Sequence, residues 1–311
     1  MFKYNKIIFA VILFLGLFGL AQNSEAANRY IRDGATGNGS DWTNAYTDLP
    51  ATLVRGDTYY IADGSYASYI VDDAVSGTSV ITIKKATISA HGTETGWNSS
   101  YGDGQAVFAQ PFNILTSYVT FDGVTGSGSD PNTYGFKIAI PINCNQRNQM
   151  LGIPNMGYSS SVVSNVTISH VAMTNCGSSY DYPQSGIYSY SVNPITNITI
   201  SNNYMKDSNS NMLIRGWSNS TITDNYFAGN WSSAANHGTQ ISPGSTCNDI
   251  VLKNNIFKDS NGTAAVSVHK LNNNRWKVFN NLIIGGQMAL GIGNGDSATI
   301  DVMKSWAFHH N

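Results

Sequence analysis

The chain is 311 residues long, with 17 Lys and Arg against 19 Asp and Glu, a net charge of −2, and only 12% charged residues. So weak a field excludes nucleic acid and anionic membrane surfaces as partners, since both are held through a surplus of Lys and Arg. Low charge with abundant Gly, Asn, Ser, Thr and Tyr suits a β-rich exported protein, long enough for one large domain with a sizeable core.

Residues 1–26 read as a signal peptide. Lys3 and Lys6 give a basic start, residues 7–20 are an uncharged apolar run, and Ser24-Glu-Ala26 places small residues for cleavage before Ala27. The run is short for a membrane span, which needs roughly 20 residues. No cysteine follows it, so a lipid attachment signal is missing there. Residues 27–311 are expected to form one monomeric domain with no membrane contact after cleavage. Cys144, Cys176 and Cys247 are an odd set without metal-like spacing; single or buried thiols are expected, with at most one disulfide.

In chain order, residues 27–54 begin with a strand at Arg29-Tyr-Ile-Arg32 and a Gly-rich turn. Asp41 then suits an N-cap, and Trp42, Ala45, Tyr46 and Leu49 are helically spaced, which predicts a short amphipathic helix closing one end of the fold. Asp57-Thr-Tyr-Tyr-Ile-Ala-Asp-Gly-Ser-Tyr66 reads as a strand ending in an Asp-Gly turn. Val80-Ile-Thr-Ile, Val119-Thr-Phe-Asp and Val166-Thr-Ile-Ser then introduce a phrase that becomes complete four times: at Ile198-Thr-Ile-Ser-Asn-Asn-Tyr-Met205, Thr221-Ile-Thr-Asp-Asn-Tyr-Phe227, Ile250-Val-Leu-Lys-Asn-Asn-Ile-Phe257 and Trp276-Lys-Val-Phe-Asn-Asn-Leu-Ile283.

The steps from Ile200 to Ile222 to Leu252 to Val278 wander between 22 and 30 residues without losing the phrase. That is a solenoid signature, with insertions in loops outside a constant coil. Two strands in the phrase and a third apolar segment between phrases give three strands per coil. The predicted fold is therefore all-β, a right-handed parallel β-helix, with Asn203, Asn225, Asn255 and Asn281 as a structural ladder. His170 shares the corner column of Asn202, Asp224, Asn254 and Asn280 and is expected to be structural as well. The final residues 306–311 follow the pattern of residues 276–281 and stop there, as expected of a fragment or a truncated product.

With three strands, an Asn corner after the second and an export signal, the chain resembles the pectin-lyase-like β-helix superfamily over most of residues 30–311. In that superfamily substrate lies along the first strand, here the segment between phrases. Pairing Met212/Ile214 with Thr239/Ile241, Val266/Val268 and Leu290/Ile292 predicts one outward column of Tyr190, Arg215, Ser242, His269 and Gly293. A second column beside it reads Tyr188, Leu213, Gln240, Ser267 and Gly291. Ile214-Arg-Gly-Trp, followed by the Asn225 corner and Phe227-Ala-Gly-Asn230, is further similar to the alginate and chondroitin lyase branch. The resemblance implies an Arg partnered by a Lys on the preceding coil; Tyr190 stands at that place here, and Trp217 where a His commonly follows.

β-Elimination on a uronic acid needs a cation to neutralise the carboxylate and a base to take the adjacent proton. Arg215 is the candidate neutraliser, with Tyr190 or His269 as base. Tyr188, Gln240, Trp217, Trp231, His237 and Lys270 are the candidate substrate-binding residues, for an acidic polysaccharide partner. Hydrolysis would need paired carboxylates, which the outward columns lack. No cofactor is required by this reading; Asp72-Asp73 or Asp181 are the carboxylates left for a calcium ion, although no loop carries the alternating spacing of a dedicated site. The reading from another class is a glycan-binding, adhesive or structural rod.

Overall fold

The structure is a computed structural model that describes residues 26–140, 144, 148–154, 160–177, 184–231, 238–244, 246–268, 273–286, 288, 290–292 and 307–309. Among them the strands fall into three parallel sheets. Sheet 1 holds ten strands, from Asn28–Ile31 to Ala307–His309; sheet 2 holds eight, from Gly64–Tyr66 to Leu282–Ile284; sheet 3 holds eight, from Ile70–Val71 to Leu290–Ile292. From Thr58–Ile61 onward each coil visits sheets 1, 2 and 3 in turn and then pairs with its predecessor, which is a right-handed parallel β-helix. No helix of the described residues is long and apolar enough to cross a membrane.

The alternation read from the phrases sets the core. Ile83, Phe121, Ile168, Ile200, Ile222, Leu252 and Val278 are successive partners in sheet 1, and all are buried. Phe108, Ile138, Met173, Met205, Phe227 and Phe257 form the facing column of sheet 2, with Phe227 and Phe257 stacked at 5.0 Å. Burying each such side chain stabilises the fold by roughly 1.5–3 kcal/mol before the cost of ordering it. The last phrase pairs as its pattern predicts, Val278 opposite Phe308.

The asparagine ladder follows from an accounting of buried polar groups. At the corner from sheet 1 to sheet 2 the chain turns with its N–H and C=O groups cut off from water, and such groups must find partners. Asn225 Nδ2 donates to Ile200 O at 2.9 Å and to Asn255 Oδ1 at 3.0 Å, and the Asn225 N–H donates to the same Asn255 Oδ1 at 3.0 Å. Asn203 repeats this toward Asn225, and Asn255 toward Asn281. The residue before each ladder asparagine sits in the left-handed region: Asn202 at φ 55°, Asp224 at 59°, Asn254 at 56° and Asn280 at 54°. Asn and Asp tolerate that conformation far better than branched residues. His170 takes the same place at φ 57°, its Nδ1 2.7 Å from Asp122 Oδ1.

Two expectations are corrected. Residues 41–49 form turns and one bridge, not a helix. Asp41 does accept the Asn44 N–H at 2.8 Å, but the following backbone is spent elsewhere: Gly37 and Gly39 donate to Ala45 and Asn44 carbonyls, while Tyr46 exchanges bonds with Arg32 and Tyr30. Tyr46 thus bridges to Ile31, so this looped segment covers the open edge of sheet 1 as the helix was expected to do. Trp42 is fully buried, edge-on to Tyr30, and its Nε1 donates to His91 O at 2.9 Å. Second, Cys144 and Cys176 are joined in a disulfide rather than remaining single thiols. Cys247 is free and buried, and burial pushes its thiol up to about 12.

Candidate functional site

The strand Ser210–Ile214 of sheet 3 leads through Arg215 and Gly216 into the strand Trp217–Thr223 of sheet 1. Gly216 holds φ at +76°, a turn that throws the preceding side chain onto the rim of the coil. One coil earlier Tyr190 occupies the matching place, since Tyr188 pairs with Leu213 and the Ser189 N–H donates to Leu213 O at 2.8 Å. The Arg215 guanidinium carbon lies 4.6 Å from the centroid of the Tyr190 ring, and both residues are half-buried. A stacked cation of this kind contributes about 0.5–1 kcal/mol and, more usefully, holds a long side chain in one orientation.

Arg215 has no carboxylate partner among the described residues; Arg32, stacked 5.1 Å over the Tyr101 ring, and Arg55 have none either, but of the three only Arg215 follows a strand of sheet 3. Arg29 donates from Nε to Asp57 at 2.9 Å, Arg275 pairs with Asp249 at 2.5 Å, and Arg55 spends its donors on the carbonyls of Ala74, Ser117 and Tyr118. No ion pair engages Arg215 among the described residues. Its planar fork of donors suits bidentate recognition of a carboxylate. On the following coil stands Gly244, where a Cβ would lie 3.3 Å from Arg215 Cβ; the glycine leaves room for the aliphatic stem.

The expected columns need a correction of two residues in one strand. Ile241, not Thr239, pairs with Met212, and Ser242 pairs with Leu213. The neighbour of Arg215 is therefore Gly244 rather than Ser242. The outer column of sheet 3 runs Asn113, Gly152, Tyr188, Leu213, Ser242, Ser267 and Gly291, with Tyr188 half-exposed.

Gln240 leaves the outer face altogether and is fully buried. Its Nε2 donates to Lys258 O at 3.1 Å, and its Oε1 accepts from Asn211 Nδ2, which also donates to Ala228 O at 3.2 Å. These two amides form a second, shorter ladder at the corner between sheets 2 and 3. The sequence reading missed it, and the available signal was the Asn-Ser-Asn run at residues 209–211.

Two of the aromatics expected on the groove are also internal. Trp217 has no exposed surface, and its Nε1 donates to the buried Ser189 hydroxyl at 2.6 Å, so it fills the corner between sheets 3 and 1. Trp231 is 5% exposed. Neither presents a face to a ligand. His237, His269 and Lys270 lie outside the described residues, as does Asp181.

The described outer column of sheet 3 carries no carboxylate, and among the described residues no three His, Cys, Asp or Glu side chains gather as a metal set. Asp73, one of the carboxylates considered for calcium, spends Oδ1 on the Leu53 N–H at 2.8 Å. Asp207 and Asp224 sit in left-handed corners at φ 59°, where they serve the turn. The arrangement that remains is an oriented guanidinium, without an ion pair among the described residues, at the rim of a parallel sheet with Tyr188 and Tyr190 beside it.

No protein-family model and no curated protein matches this chain. Among solved structures it is similar to a rhamnogalacturonan lyase, at 12% identity and TM-score 0.44, covering 90% of this chain and 65% of that one. A crystal structure of pectate lyase Pel9A matches at 10% identity and TM-score 0.39, over 88% of this chain and 80% of the other. The A-module of mannuronan C-5 epimerase AlgE6 from Azotobacter vinelandii matches at 10% identity and TM-score 0.27, over 92% of this chain and 91% of the other. The chain thus spans about two thirds of the length of the first of these.

Proposed function

We propose that the chain is an exported carbohydrate-active protein, carried out of the cell by residues 1–26, that lays an acidic polysaccharide along the outer face of sheet 3. Arg215 is the residue that meets a uronate carboxylate. The observation that carries this reading is the guanidinium at the rim: oriented by Tyr190, half-exposed, and without a carboxylate among the described residues.

The chemistry proposed is lyase-like β-elimination. Arg215 neutralises the carboxylate, which acidifies the adjacent C–H. A base removes that proton, and the electron pair forms a carbon–carbon double bond as the glycosidic oxygen departs. Tyr190 through its hydroxyl, or His269, is the proposed base. The diagnostic is a rise in ultraviolet absorbance from unsaturated uronate on pectate, alginate or chondroitin. Its loss in Arg215→Ala, and in either Tyr190→Phe or His269→Ala, is the expected outcome.

One observation favours a second reading. The Tyr190 ring is occupied as a platform beneath the cation, an arrangement that serves binding as well as proton transfer. Retention of uronate oligomers without any absorbance change would make the chain a glycan-binding or adhesive β-helix instead.

A further inference from the structure

A second concavity lies on another side of the coil, about three coils or roughly 14 Å toward the N-terminus along the axis. Two loops leave the corner between sheets 1 and 2 there, residues 86–105 and 123–135. Between them is a depression of about 470 Å³ whose walls include Thr87, Ile88, Asp103, Thr125, Asn132 and Tyr134, with Gly102 and Gly104 beside Asp103. Ligand pockets run from roughly 300 to 1,000 Å³.

The depression is held from beneath. Lys85, 1% exposed at its side chain, places Nζ 2.6 Å from Asp63 Oδ1, and Asp63 Oδ2 accepts the Gly104 N–H. Lys85 Nζ also donates to Ala86 O. The two walls are strapped together by Gln105, whose Nε2 donates to Pro131 O at 2.8 Å and to Tyr134 O at 2.6 Å. Asp130 shapes the far wall by accepting from the Asn132 N–H at 2.9 Å and its Nδ2 at 3.0 Å. Tyr134, almost fully buried, is fixed by a bond from its hydroxyl to Gly128 O at 2.9 Å. The walls are thus preorganised, so a ligand would not have to order them.

The lining selects the ligand. Asp103 is exposed and accepts no hydrogen bond from the described residues, so its carboxylate is free to take two hydroxyl donors. Thr125 supplies a hydroxyl, Thr87 and Ser89 share a hydrogen bond at 3.4 Å, Thr133 donates to Asp130 O and leaves its oxygen as an acceptor, and the Asn132 side-chain oxygen is an acceptor as well. Ile88, 57% exposed, gives an apolar surface for a ring face. An anion is disfavoured by Asp103 and the neighbouring Asp130, the charge of Asp63 being paired with Lys85. A metal ion would find one lining carboxylate, too few donors for a hard cation.

We infer that this depression binds a neutral, hydroxyl-rich sugar unit, at a site independent of Arg215. The protein would then hold an uncharged part of a glycan at one corner and, if the reading above holds, a uronate on sheet 3.

The test is amide chemical-shift titration of the full chain with galactotetraose, cellotetraose, mannotetraose, xylotetraose and tetragalacturonate. At least one neutral tetraose is expected to shift Gly102, Gly104, Thr125 and Asn132 saturably. Asp103→Ala should weaken that binding by about tenfold or more, and Ile88→Ala by a few fold. Arg215→Ala should leave it unchanged, which separates this inference from the uronate reading. Asp103→Asn repeats the measurement should the alanine variant fail to fold. The inference is overturned if no neutral sugar shifts these amides, if binding survives Asp103→Ala, or if tetragalacturonate or calcium alone shifts them as strongly.

Discussion

The corner from sheet 1 to sheet 2 and the rim of sheet 3 are built from similar polar residues and obey different rules. At the corner, Asn203, Asn225 and Asn255 are buried and every amide proton has a carbonyl to meet. At the rim, Arg215 rests on Tyr190 and no described carboxylate pairs with it. The corner is fixed by the cost of unsatisfied backbone, and each asparagine there serves the N–H of the coil before it, Val171 as well as Asn203 and Asn225. The rim is free of that constraint, and what stands there is available to a ligand.

The contrast can be sharpened by substitutions, in order of expected effect. Trp217→Ala should destabilise by about 3–5 kcal/mol, because it empties a fully buried corner and leaves the Ser189 hydroxyl without its indole donor. If Trp217 belonged to a groove instead, thermal unfolding would scarcely change while glycan binding fell. Asn225→Leu should cost about 2–3 kcal/mol, since it orphans the Asn203 N–H and the Ile200 carbonyl together. Denaturant titration reads both, with an unchanged slope if the fold is retained.

A smaller effect is expected at Asp122. Desolvation pushes its carboxyl up, but bonds from His170, the Val124 N–H and Ser169 outweigh this and hold it below the ordinary carboxylate value. The folded state therefore binds this proton more weakly than the unfolded chain. The stabilisation is complete above the ordinary value of about 3.9 and is lost as pH falls through the depressed one. Asp122→Asn should flatten the acid limb of a stability–pH profile; an unaltered profile would mean that the bonds from His170, Val124 and Ser169 together carry no weight.

The same contrast explains what was legible in the sequence. The four phrases announced sheet 1, its corner and sheet 2 because each column is set by burial, and Ile200, Ile222 and Leu252 pair as their spacing requires. Sheet 3 was read correctly as a third strand, but its register slipped by two at Ile241. A shift of two preserves the alternation of faces, so hydrophobicity gives no warning of it. Gln240 was misplaced for that reason, and for another: at the corner an amide turned inward onto Lys258 O is as well satisfied as one in water. Trp217 was misread because a large aromatic after Arg-Gly looks alike in sequence whether it lines a groove or fills a corner. Asp103 escaped notice because its loop carries no repeat; only the fold brings it to the same depression as Asn132.

The account turns on Arg215 being free for a uronate. The most direct measurement is the affinity of tetragalacturonate and of alginate and chondroitin tetrasaccharides for the protein and for Arg215→Ala, with Tm recorded for both. A loss of about tenfold or more for at least one of them at nearly unchanged Tm is predicted, as expected for removal of a charged hydrogen-bonding partner from a rim that supports little of the fold. Unchanged affinity for all three, or a fall in Tm comparable to that of Asn225→Leu, would contradict it.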